Sequence, residues 1–259
     1  VVDVFGLSAA QFETFILVFA RVAAMLQLFP IFSAQQVPRV ARMGLAAAIS
    51  FIVYRAVPVV HEPLSLYALG LSVAAQVALG VILGFIASLV FTAMQFAGEL
   101  VDLQIGFAVA NVINPLMQST VTIIGELQLA LASIIYLASD SHLLLLQGIA
   151  GSFQLVPLPY IALPMGVAGD VVGFFSSVLL DVLRIVAPVV FALFLANVAL
   201  AFMARVAPQM NVFVVGFPVQ IGIGLVVLAM SLPLAATLLP DAFTEAARQM
   251  DAVMRAMRF

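Results

Sequence analysis

Several stretches of the chain are apolar for longer than a bilayer is thick. Phe12–Phe32, Leu64 to about Phe96, Val182–Ala204 and Val212–Leu239 each hold the roughly 20 residues that a helix needs to cross about 30 Å of hydrocarbon. No water is present there to bond a backbone N–H or C=O, so each run has to satisfy its own backbone as helix. Only 8% of the residues are charged and 65% are hydrophobic, against roughly a quarter charged in soluble domains. The fold class that follows is an all-α integral membrane protein. Its helical hairpins are irregular, because Pro and Gly repeatedly break the apolar runs.

Charge and sulfur content narrow the function. The formal net charge is −3, there is no lysine, and the nine basic residues are scattered arginines. No basic patch for nucleic acid results. Without cysteine there is neither a disulfide nor a thiolate ligand or nucleophile. No basic n-region with a short apolar core and a small-residue cleavage site precedes Phe12, so no cleaved signal peptide is expected.

The first run carries Arg21 and is stopped by Pro30. A lone intramembrane arginine faces protein or water, or it pairs with Glu13 or snorkels towards the headgroups. SAQQVPRVARMG reads as a polar turn, whose Arg39 and Arg42 favour the cytoplasmic side. A shorter run, Leu45–Val60, follows and is closed by His61, Glu62 and Pro63.

The long third run leads into a polar stretch, Gly98–Gln128. Gly80-xxx-Gly84 is a spacing that lets two helices approach closely. Gly84, Ser88, Thr92, Gln95, Glu99, Asp102 and Gly106 follow one another at steps of 4, 4, 3, 4, 3 and 4. On a continuous helix they share one face over roughly 33 Å. That face is either a helix–helix seam cemented by small and polar side chains or the wall of an aqueous path, with Gln95, Glu99, Asp102 and Gly106 as its pore-facing candidates. Phe107–Gln118 then reads as a loop, in which Pro115 disfavours helical geometry at Asn114. A second stripe, Ser119, Thr122, Glu126, Ala130 and Ser133, resumes the helical period. Two polar-striped helices flanking a loop are tolerated in a membrane only where the loop is shielded from lipid.

Ser139–His142 is a polar corner, where His142 beside Asp140 is either a proton-relay pair or an exposed loop histidine. Leu143–Val156 is short for a span, and Pro157, Pro159 and Pro164 break the chain before Val171. The last third is a hairpin with arms Val182–Ala204 and Val212–Leu239, joined by a compact turn with Arg205, Pro208, Gln209 and Asn211. Asn197 within the first arm calls for an interhelical hydrogen bond. Pro218 and Pro233 kink the second arm, and an amphipathic tail starts at Asp241. No zinc-protease, nucleophile-elbow, phosphate-loop or dinucleotide signature occurs, so neither catalysis nor a metal or cofactor is expected.

FILVFARVAAMLQLFPIFSAQQVPRVARMGLA, QFAGELVDLQIGFAVANVINP, SHLLLLQGIAGSFQLVPLP and LFLANVALAFMARVAPQMNVFVVGFPVQIGIG together resemble the FliR family of flagellar export-gate proteins. The SctT family of virulence type III secretion is its counterpart. The similarity runs from about Phe15 to Gly224, and ARVAPQMNVFVVGFP is its most specific piece. Gln220 departs from the lysine expected there in many relatives.

The resemblance implies an inner-membrane subunit of the flagellar basal body, possessing no enzymatic activity and projecting towards the periplasm. It would assemble with FliP-like and FliQ-like subunits, beside FlhB-like and FlhA-like proteins, into a gate for unfolded exported polypeptides. Residues 1–170 would form a FliP-like part, 171–240 a FliQ-like hairpin and 241–259 the tail. A loop at about 107–122 would plug the closed pore through Phe107, Val109, Asn111, Val112, Ile113, Asn114, Pro115, Leu116 and Met117. Glu126 would face the pore, and Arg205, Pro208, Gln209 and Asn211 would meet a partner. The competing class is a stand-alone secondary transporter, which should show internal repeats; the Gly98–Pro115 pattern has no second copy.

Overall fold

The computed structural model describes residues 9–33, 37–59, 64–106, 122–159, 168–209 and 211–257. Every regular element among them is a helix: α1 (Ala9–Leu28), α2 (Pro30–Ser33), α3 (Arg39–Tyr54), α4 (Leu66–Ile105), α5 (Ile123–Ala138), α6 (Ser141–Leu155), α7 (Ala168–Val206) and α8 (Val212–Ala256). Helices α1, α4, α7 and α8 are long and apolar enough to cross a membrane, and α5 with α6 adds a fifth only as one broken span. The fold is the all-helical one that the apolar runs require.

The helices form two compact units. One gathers the described residues of 1–89, 140–175 and 243–259, the other those of 90–139 and 176–242. Helices α4, α7 and α8 contribute to both.

In the first unit α1 buries Leu17, Val18, Val22 and Met25. Gly80 and Gly84 of α4 lie directly beneath it. A Cβ on Gly80 would collide with the Arg21 carbonyl, and one on Gly84 would stand 2.6 Å from the Met25 carbonyl. The small-residue spacing thus sets a close backbone approach that any side chain would push apart. The Phe15 ring meets Tyr54 of α3 edge-on at 6.2 Å.

Arg21 occupies the centre of this unit and is 2% exposed. Its Nε donates to Gln76 Oε1 at 2.7 Å, Nη1 to the Ser152 carbonyl at 2.8 Å and to Ser152 Oγ at 3.1 Å, and Nη2 to the Val156 carbonyl at 2.9 Å. The guanidinium also lies 4.2 Å from the centre of the Phe153 ring. Neither pairing with Glu13 nor snorkelling describes it. Glu13 instead accepts from the Leu64 N–H at 3.0 Å. Two of its partners are carbonyls at the C-terminal end of α6, where the helix dipole is negative; that of Ser152 also accepts the N–H of Val156 at 3.0 Å.

Several boundaries differ from the sequence reading. α3 starts at Arg39, inside the stretch expected to be a polar turn, because Pro38 sets the entry and Arg42 folds back onto the Val37 carbonyl at 3.1–3.2 Å. α7 starts at Ala168 rather than Val182, because Asp181 and Arg184 do not interrupt it; they form an exposed i,i+3 pair at 2.7 Å. His142 is half-buried in the first turn of α6, not in an exposed loop, and the turn before it closes on Asp140 at φ +56°. α8 runs through Pro218, Pro233 and Pro240, so the residues after Asp241 continue the same helix. Their buried face is Ala242, Phe243, Ala246, Met250 and Val253.

Replacing Arg21 by Ala should destabilise the protein by about 3 kcal/mol or more, since several buried acceptors lose their donor at once. Arg21→Lys should fall between, because an ammonium on a flexible stem cannot reproduce the planar fork. Thermal unfolding in detergent checks the order wild type, Lys, Ala, with Arg184→Ala indistinguishable from wild type.

Candidate functional site

In the second unit α4 delivers its polar end to α5. Asp102 is buried, at 3% exposure, and its carboxylate accepts from the N–H of Ile124 at 3.1 Å and of Gly125 at 3.2 Å. Thr122 precedes α5 in an extended conformation and makes no side-chain cap of its own. The capping group, usually a neighbour in sequence, comes here from another helix. A glycine pair makes this reach possible: a Cβ on Gly98 would lie 2.6 Å from Gly125 Cα. Glu99 is half-buried beside the same glycine, and Glu126 is exposed in the first turn of α5, where the dipole favours an acid.

α4 ends at Gly106, which has φ +95° and donates its N–H to the Asp102 carbonyl at 3.1 Å. A Cβ there would fall 2.5 Å from Cε1 of Phe217 in α8, so this position needs glycine for conformation and for space. Two residues earlier, Gln104 begins a chain of amides. Asn197 Nδ2 donates to Gln104 Oε1 at 3.5 Å, and Gln220 Nε2 donates to Asn197 Oδ1. Three apolar helices, α4, α7 and α8, are thereby joined through their few polar side chains. The three amides, with Gly106 and Phe217, line a cavity of about 390 Å³.

The stripe on α4 is therefore not uniform. Gly84, Ser88 and Asp102 are buried, Gln95, Glu99 and Gly106 half-buried, and Thr92 exposed. Arg205, Pro208, Gln209 and Asn211 are all exposed where α7 passes into α8. Phe107, Val109, Asn111, Val112, Ile113, Asn114, Pro115, Leu116 and Met117 lie outside the described residues. Asn197 makes the interhelical bond its position called for. Its partners Gln104 and Gln220 were not paired with it from sequence, although each is an isolated amide in a long apolar helix. Among the described residues no three metal-ligating side chains gather.

Helices long and apolar enough to cross a membrane, joined to one another by buried polar side chains, define the class as an all-helical integral membrane protein. Residues 12–246 match the family model described as Bacterial export proteins, family 1. The chain belongs to that family, whose members are export proteins and not enzymes. It is 34% identical over 223 residues to the Flagellar biosynthetic protein FliR of Bacillus subtilis (strain 168), covering 84% of this chain and 85% of that protein. With the FliR of Escherichia coli (strain K12) it shares 30% identity over 226 residues, 87% of this chain and 86% of the other. The Yop proteins translocation protein T of Yersinia pestis is 31% identical over 215 residues, 80% of this chain and 81% of its own length.

Asp102→Asn should keep an acceptor at the α5 N-terminus and destabilise less than Asp102→Ala, with about 1 kcal/mol between them. Unfolding midpoints of the two variants in the same detergent test the order.

Proposed function

We propose that this chain is a subunit of the flagellar type III protein export gate in the bacterial inner membrane. The observation that carries this is similarity to FliR proteins over more than four fifths of the chain, within a family of export proteins. Exposed apolar surface supports a place in an assembly. Only 33% of the apolar window of α7 and 22% of that of α8 is buried within the chain. Phe191, Phe194, Phe202 and Met230 are all more than half exposed. Surface of this kind calls for lipid or for partner subunits.

In this reading residues 1–170 act as a FliP-like part and 171–240 as a FliQ-like hairpin, with the tail 241–259 completing the subunit. FliP-like and FliQ-like subunits complete the pore, which stands in the flagellar basal body and projects towards the periplasm, with FlhB-like and FlhA-like proteins beside it. Unfolded flagellar proteins pass along a wall that includes Gln95, Glu99, Gly106 and Glu126, whereas Asp102, buried as the cap of α5, stands behind it. The segment of about 107–122 closes the pore at rest, since its apolar residues from Phe107 to Met117 exclude water. The exposed turn Arg205–Asn211 meets a partner at the mouth. The similarity to the Yop proteins translocation protein T favours a second reading, in which the exported proteins are virulence factors.

Expression in a bacterium lacking its own FliR decides between the two: restored motility supports the flagellar reading, and restored virulence secretion alone supports the other. The chain should co-purify with tagged FliP-like and FliQ-like subunits and aggregate without them; a monodisperse, cooperatively unfolding monomer would overturn the assembly reading. Deleting Ala110–Leu116 should leave assembly intact but let ions leak, and unchanged conductance would assign sealing to another subunit. Arg205→Ala with Gln209→Ala should leave the protein in the membrane and impair export.

A further inference from the structure

In the first unit α6 and the end of α8 enclose a groove of about 480 Å³ that none of the readings above uses. Gly148 and Gly151 of α6 line it, with Gln147 and Gln154 beside them, and Arg248, Asp251 and Arg255 come from α8. Gln147 and Gln154 are seven residues apart, and so are Arg248 and Arg255. Seven residues are close to two helical turns, so each pair stays on one face, about 10.5 Å apart. All four of these side chains are exposed and Asp251 is half-buried. Arg248 has only a solvent-exposed contact with Glu245 at 3.4 Å, an interaction worth little. Arg255 makes no ion pair among the described residues.

We propose that this groove receives a helix of another subunit of the export assembly, one that carries two carboxylates seven residues apart. A Cβ built on Gly151 meets nothing within 4 Å, so the glycine is not required by the packing of this chain. It leaves room for a second backbone to approach closely. The two guanidinium groups, two turns apart, match carboxylates at i and i+7, and Gln147 and Gln154 of α6 can donate or accept within the same groove. Asp251 lies between the arginines in sequence and selects the occupant. Its charge opposes a phospholipid phosphate drawn to Arg248 and Arg255, whereas a helix can present it with an amide or a basic group. A surface of mixed sign is a pattern that a complementary protein face satisfies.

The inference rests on the reading of the chain as one subunit of an assembly. Its test places a photoreactive side chain at position 154 in the full-length protein, co-expressed with the other gate subunits and irradiated in native membranes. One defined adduct with a single other subunit is expected, mapping to a helix with acidic residues two turns apart. Gly151→Leu, which fills the groove at a position with open space, should lower the adduct about tenfold or more. Arg248→Glu with Arg255→Glu should do the same, and arginines in place of the partner's two carboxylates should restore it. Crosslinking to phospholipid alone, to no defined subunit, or undiminished by Gly151→Leu overturns the proposal. If the charge-reversed chain does not accumulate, the Gly151→Leu result decides. Intact co-purification with the FliP-like and FliQ-like subunits in any of these cases removes only the groove assignment; failure of the wild-type chain to co-purify removes the export-gate reading itself.

Discussion

Two buried polar side chains, one in each unit, settle on the end of a helix and tie together the helices of their own unit. Arg21 meets the carbonyls that close α6, and Asp102 meets the N–H groups that open α5. A helix end carries about half an elementary charge of the right sign. An ion bonded there removes orphan backbone groups and its own need for a counter-ion in one contact. A buried counter-ion would have added a second desolvation cost of several kcal/mol. The arrangement suits a chain with little charge to spare, and among the described residues its two ion pairs are both exposed i,i+3 contacts.

Such contacts demand short distances between helix axes, and glycine supplies them. Gly80 and Gly84 bring α4 against α1, Gly98 and Gly125 bring α4 against α5, and Gly224 of α8 accommodates Ile105 and Leu193. A Cβ added to Gly80, Gly84, Gly98 or Gly224 would lie less than 3 Å from the helix it faces, and one on Gly125 3.2 Å from Glu99 Cγ. The polar stripe on α4 is thus divided along its length. Gly84 and Asp102 serve packing, and Gln95 and Glu99, half-buried, remain available to whatever stands beside the chain in its assembly.

What could be read in the sequence was local or periodic. The 3- and 4-residue steps of the stripe fit one face of a helix if it is continuous, as α4 is from Leu66 to Ile105, and ARVAPQMNVFVVGFP carried the family without any knowledge of its contacts. The start of α7 was hidden because Asp181 and Arg184 resemble a break in hydropathy while forming a helical pair. The partners of Arg21 were out of reach for a different reason. Two of them are backbone carbonyls, which every residue has, so no residue type at any spacing announces them. The amide chain was half visible: Asn197 stood out, but nothing local to Gln104 or Gln220 links them to it. Side chains that act through distant backbone leave no pattern in composition or spacing.

The two helix-end contacts also differ in how far along the chain they reach. Asp102 and the N–H groups it accepts from are 22 and 23 residues apart, so both are synthesised within a short interval of each other. Arg21 gains Gln76 after 55 residues but has to wait for Ser152 and Val156, 131 and 135 residues later. At about 5–20 residues per second, that interval lasts roughly 7–26 s. During it the guanidinium of α1 can bond to Gln76 of α4, but its two Nη groups lack the α6 partners that complete the set. Insertion of this protein therefore includes a period in which the first helix depends on lipid headgroups, water or the insertion machinery, and it ends only when α6 arrives.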